Sequence, residues 1–198
     1  MQEVREEGNV WKGLVAGLAA GLVASWAMNQ FQAAWTRAAA GFEKPHGAQS
    51  MQPSEGPNPD EMSPSNQAMA EQLSSKEKED QEDATVKTAR VISEGVFGHE
   101  LTESEKKPAG AVVHYAFGAA SGGLYGALAE VAPQVTAGAG IPFGAAFWVI
   151  ADETAVPLLG LAKGPTEYPL STHAYSLASH LVYGLTAEMS RRAVRHVL

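Results

Sequence analysis

Five ionisable side chains lie within or at the edge of stretches otherwise empty of charge: His114, Asp152, Glu153, His173 and His180. Imidazole nitrogens and carboxylate oxygens can together hold a divalent metal or relay a proton near neutral pH. His173 and His180 are two helical turns apart, so a helix carries both on one face. The same set can equally be a network of His–carboxylate hydrogen bonds that keeps helices in register. No short metal motif such as HExxH is present, and no nucleophile stands in a catalytic context. The residues therefore point to an ion, metal or proton role or to structure, and the chain is not expected to be an enzyme. Two further carboxylates, Glu130 and Glu188, stand near other helix ends. Glu188 precedes Arg191, Arg192 and Arg195, which predicts a structural ion pair.

The elements that must position these groups follow from the charge pattern. Asp, Glu, Lys and Arg are absent from four runs, 13–36, 108–129, 131–151 and 168–187, of 24, 22, 21 and 20 residues. About 20 helical residues cross a hydrocarbon core about 30 Å thick. Four such runs in 198 residues with 18% charge predict an all-α integral membrane four-helix bundle. The runs are rich in Ala and Gly, which lowers their hydropathy, but small residues suit membrane helices because they let backbones approach. The expected helices cover 10–35, 108–131, 136–159 and 170–195. Trp11 and Trp35 flank the first one about 36 Å apart, a spacing that suits anchors at two interfaces. Residues 1–12 carry both signs of charge and the apolar run after them is long for a signal core, so the first helix is expected to be retained.

The charge of −8 is localised, since residues 41–107 hold 14 acidic and 7 basic side chains. Four segments follow: 1–40 with the first helix, 41–83, 84–107 and the three-helix region 108–198. Residues 41–83 contain Pro45, Pro53, Pro57, Pro59 and Pro64 and few large apolar groups, so a long acidic, disordered loop is expected between helices one and two. Residues 84–97 place Val86, Ala89, Ile92 and Val96 at helical spacing, an amphipathic helix that either lies on the membrane or packs on the bundle. Thr102 and Glu105 have capping-box spacing, which predicts a short turn leading into Pro108. The acidic balance gives no support for nucleic-acid binding, and zero cysteines exclude disulfides and thiolate ligands.

Glycines recur every four residues: Gly13, Gly17 and Gly21; Gly118, Gly122 and Gly126; Gly140 and Gly144. Such faces bring helices together, within the bundle or in a homo-oligomer. Four spans place both termini on one side with Arg5, Lys12, Arg191, Arg192 and Arg195, against Lys163 in the opposite short loop, which favours cytoplasmic termini. The expected partner is the lipid bilayer; no resident cofactor is expected, a divalent metal being the one ligand the cluster could take. Two function classes stay open. One is a multi-pass membrane protein that handles a small ion, a metal or protons through the His/carboxylate set. The other is a structural or interaction protein whose glycine faces drive assembly and whose acidic loop recruits a partner.

Three stretches carry a resemblance: VHYAFGAASGGLYGALAEVAP, FGAAFWVIADETAVPLLGL and YPLSTHAYSLASHLVYGLTAEMSRR. His114, Tyr125-Gly126, Ala129-Glu130 with Pro133, Pro157 with Gly160-Leu161, and His180 followed by Glu188 and Arg191-Arg192 resemble the YagU-like bacterial inner-membrane proteins, a domain of unknown function. The resemblance covers roughly half the chain and leaves out the acidic loop. It implies a location in the cytoplasmic membrane and no particular activity.

Overall fold

A computed structural model describes residues 9–42 and 82–198. The stretch expected to be a disordered loop, 41–83, lies almost wholly outside the described residues. Among those described, all regular structure is helical.

Helix α1 runs Val10–Phe42, longer than the expected 10–35. Its first turn is closed by Asn9, whose side chain accepts from the Lys12 amide at 3.1 Å, a favoured N-cap residue. Helix α2, Ala84–Ile92, starts on Asp83, whose carboxylate accepts from the Thr85 amide at 2.8 Å. A widened turn, Ser93–Phe97, follows and stops at Gly98 with φ +63°. Here the expected apolar face divides: Val86 and the buried Ala89 turn to the protein, whereas Ile92 and Val96 do not. Val86 packs on Gly110 of the next helix, while Val91, Ile92, Val96 and Phe97 stay exposed on the other side.

Helix α3, Glu103–Val131, corrects the expected start at 108. The capping box forms: the Thr102 amide and hydroxyl both donate to Glu105, which holds that carboxyl below its usual range. The helix then continues through Pro108 without breaking. The carbonyl left without a donor there belongs to Ser104, which is exposed and near the helix start, where water can take it. Lys106 bridges Glu103 at 2.7 Å and Glu82 at 2.6 Å, contacts that raise its pKa and tie the approach to α2 onto α3.

The third predicted helix is not one helix from 136. Pro133–Gly140 forms tight turns interrupted at Ala137, Gly138 and Ala139, with positive φ at 138, 139 and 140. Regular helix begins only with α4, Ile141–Ile150. A π turn, Ala151–Ala155, leads into the short α5, Val156–Leu158. Pro157 explains the distortion, because its ring lacks an amide and crowds the preceding turn. The Thr154 hydroxyl takes the Val149 carbonyl at 2.8 Å. After a short turn at Pro165–Glu167, α6 runs Leu170–Arg195 as expected.

Helix α1 packs along α3 and α6, α4 packs along α6, and α2 lies on the start of α3. Two glycine seams set the spacing. Gly13, Gly17 and Gly21 meet Gly126, Gly122 and Gly118 so closely that a Cβ at Gly122 would stand 2.5 Å from the Gly17 carbonyl oxygen. Gly140 and Gly144 meet Gly184, a glycine the sequence spacing did not single out; a Cβ there would stand 2.7 Å from the Gly144 amide.

Burial runs opposite to that of a water-soluble core. The buried residues are Ala16, Ala20, Ala24 and Ala187 with Tyr125, Tyr183, Ser179, His180, Glu188 and Arg191. Leu22, Trp26, Leu124, Ile150 and Met189 are turned outward, 47–65% exposed. Large apolar surface left outside marks a protein or membrane contact. Two stretches, Val10–Ala39 and Pro133–Leu158, are long and apolar enough to cross a membrane. Helices α3 and α6 are comparably long, at 29 and 26 residues.

The seams predict a sharp contrast between glycines. Gly17→Val must push α1 off α3 and is expected to cost about 1–3 kcal/mol or more, read as a lowered unfolding temperature in detergent. Gly95→Ala, with nothing within 4 Å of its Cβ, should leave that temperature unchanged. Equal behaviour of the two variants would contradict close packing at the seam.

Candidate functional site

Polar side chains gather at two depths. At the end where α3 begins and α6 begins, the π turn swings Asp152 and Glu153 towards α6. Glu153 Oε1 lies 2.7 Å from His173 Nδ1, and His173 Nε2 lies 2.9 Å from the Pro165 carbonyl oxygen. Both ring nitrogens thus face acceptors, an arrangement only the imidazolium satisfies with two donated bonds. The residue clasps three segments: the π turn, the loop after α5, and α6. One turn further, the Ser176 hydroxyl donates to Asp152 Oδ2. His180 Nδ1 is 3.0 Å from the Ser176 carbonyl oxygen and 3.7 Å from Asp152 Oδ2. The Phe147 ring stands edge-on to the buried His180 at 5.3 Å.

His114 is set apart. Its Nε2 is buried without a hydrogen-bond partner, so the expected contact with Asp152 or Glu153 is absent for that nitrogen. All five predicted residues nevertheless line one cavity of about 730 Å³ between α1, α2, α3, the π turn and α6. The sequence reading missed Ser176, the Pro165 carbonyl and Ser25, whose hydroxyl is buried on the cavity wall without a partner. For Ser176 a signal existed, since it falls one turn from both His173 and His180; for the other two there was none. Among the described residues, no three His, Asp or Glu side chains converge as a metal-holding group.

The second polar set lies near the α1 start and the α6 end. Glu188, 1% exposed, accepts from Arg191 at 2.8 and 3.0 Å, from Arg192 at 2.5 Å and from the Tyr125 hydroxyl at 3.0 Å. Glu130 accepts from Arg195 at 2.7 Å and from the Asn9 amide at 2.9 Å. A carboxylate so fully hydrogen-bonded is a structural anchor. Removing one partner strands the others in a dry interior. Between the two sets stand rings: Tyr125 stacks on Phe143 at 4.2 Å, and Phe143 on Phe147 at 6.0 Å.

Glu188→Ala should therefore destabilise the protein by about 3–5 kcal/mol by leaving Arg191 buried and unpaired. Tyr125→Phe should cost about 1.5–3 kcal/mol, the scale of a hydrogen bond to a charged group. Chemical denaturation in detergent measures both. A neutral Glu188→Ala would remove the anchoring role.

No curated protein matches the chain, and neither does any solved structure. A family described as "Protein of unknown function (DUF1440)" matches residues 40–189. The match agrees with the YagU-like resemblance and extends beyond it, taking in the acidic segment that the resemblance left out. It begins where most of α1 has already passed. Since it spans well over half of the 198 residues, the chain belongs to this family of unknown function, DUF1440.

Proposed function

We propose that the chain is a four-span protein of the bacterial cytoplasmic membrane whose cavity at the long-loop end takes up protons, or a small ion in their place. One observation carries the reading. His114, Asp152, Glu153, His173 and His180 come from α3, the π turn and α6, yet all line a single cavity inside a body whose large apolar side chains face outward. Ionisable groups are costly within a membrane and are kept where they face an interior, a partner or water. Two His–carboxylate pairings that bridge helices make a natural proton acceptor, because histidine titrates near neutral pH. A proton suits these pairs better than a divalent metal, which needs three or four converging donors.

The reading is non-enzymatic. The serine of the cluster donates its hydroxyl to Asp152, while His180 faces its carbonyl instead of its hydroxyl, so the Ser–His pair of a common nucleophile is not formed. Lys12, Arg191, Arg192 and Arg195 gather at the other end of the helices, which supports cytoplasmic termini. The exposed Val91, Ile92, Val96 and Phe97 then lie at the opposite interface, where an amphipathic helix settles. The alternative, a scaffold that assembles through its glycine faces, is less favoured because both seams are already filled within one chain. Recruitment of a partner by the acidic loop falls outside the described residues.

Two measurements test this. Washing membranes with carbonate should leave the chain in the pellet, and release into the supernatant would overturn the membrane reading. In vesicles carrying the purified protein and a trapped pH dye, an imposed proton gradient should be answered by proton uptake. Asp152→Asn and His180→Ala should each slow it about tenfold or more, the effect of losing about 1.4 kcal/mol, and a chelator should change nothing. Unaltered uptake in both folded variants would reduce the cluster to packing.

A further inference from the structure

The cavity has an aromatic inner end and a wall charge, and together they specify a ligand. Phe147, Tyr183 and Phe117 stand in contact at that inner end, with ring centroids 5.2 and 5.6 Å apart. Behind them the Phe143 and Tyr125 rings separate the cavity from the Glu188 network. A solute entering from the loop end thus meets aromatic rings at the inner end. The volume of about 730 Å³ falls in the range of sites that enclose small organic molecules, about 300–1,000 Å³.

The carboxylates on the wall are unequal. Glu82 bridges Lys106, Asp83 caps α2, and Glu153 is held by His173. Asp152 is touched by a serine hydroxyl and approached by His180, with no Lys or Arg against it among the described residues, and its side chain is 39% exposed.

We infer that this cavity binds a small amphipathic organic cation, a protonated amine on an apolar or aromatic body. Its ammonium pairs with Asp152, the exposed carboxylate on the wall. Its body lies on Phe117 and Phe147, whose ring faces also attract positive charge. The inference rests on the cavity being functional, as proposed above, and names what competes with the proton there.

The test uses the purified full chain in detergent, with 2-phenylethylamine as the probe and 2-phenylethanol as its uncharged counterpart. Calorimetric titration at neutral pH is expected to show the amine binding at least about tenfold more tightly than the alcohol, a charge-dependent difference of about 1.4 kcal/mol. Asp152→Asn should erase that preference, and Phe147→Leu should weaken the amine severalfold while retaining it. Unfolding temperature and gel-filtration profile identify any variant that fails to fold. Asp152→Ser then stands in for Asp152→Asn, and Phe117→Leu for Phe147→Leu, with the same outcomes expected. Equal binding of amine and alcohol, no binding of either, or an Asp152→Asn variant that keeps the preference would overturn the inference. Proton uptake in vesicles by the same preparation separates the two ideas, since uptake without amine binding removes the ligand and leaves the proton reading in place.

Discussion

The approach of glycine to glycine between helix backbones is the constraint on which the rest depends. Where Gly17 faces Gly122 and Gly144 faces Gly184, there is no room for even a methyl group. Helices that meet at this distance leave their large side chains nowhere to go but outward, and Leu22, Trp26, Leu124 and Ile150 are found there. An interior built from Gly, Ala and Ser is thin and nearly smooth. Close van der Waals contact between small residues is the kind of packing by which helices associate in lipid.

The same smoothness explains where the polar groups sit. The α1–α3 seam lies toward the end where α1 starts and α3 finishes, and the cavity lies toward the other. At one end Glu188 and Glu130 are wrapped by arginines and a tyrosine hydroxyl. At the other, the π turn ahead of Pro157 opens a cavity and turns two adjacent carboxylates towards one helix face. A local backbone irregularity thereby places the chemistry, a common association of π turns with functional sites.

Much of this was legible in the amino-acid order, and the failures are instructive. Uncharged runs located α1, α3 and α6, because charges in these helices fall near their ends. Four-residue glycine spacing found both sides of the first seam and one side of the second, but Gly184 escaped because it stands alone, and a seam needs only one partner when the opposing helix supplies two. Pro108 was read as a boundary. Near a helix start, however, the carbonyl it orphans can turn to solvent, so the rule that proline breaks helices weakens there. The start of the third helix was misplaced because the turn-forming signal is in backbone angles at Gly138, Ala139 and Gly140, and alanine advertises no such preference. The histidines and acids were identified as a group, yet their pairing was not, since it depends on the one-residue offset of the π turn.

The two seams also define how the protein can move. Surfaces that interlock without side-chain slack do not slide; they either hold or separate. Helices α1 and α3 therefore behave as one rigid plank, and α4 with α6 as a second. The pairs meet where Ala24 and Met28 of α1 lie against Tyr183 and Ala187 of α6, and side-chain bonds tie them: the Tyr183 hydroxyl to the Gly118 carbonyl, the Tyr125 hydroxyl to Glu188 and Arg195 to Glu130. Those ties lie at or beyond the inner end of the cavity, so a tilt between the pairs would widen or narrow it at the loop end. Its capacity would then be set by the tilt between two stiff pairs rather than by any side chain of its own.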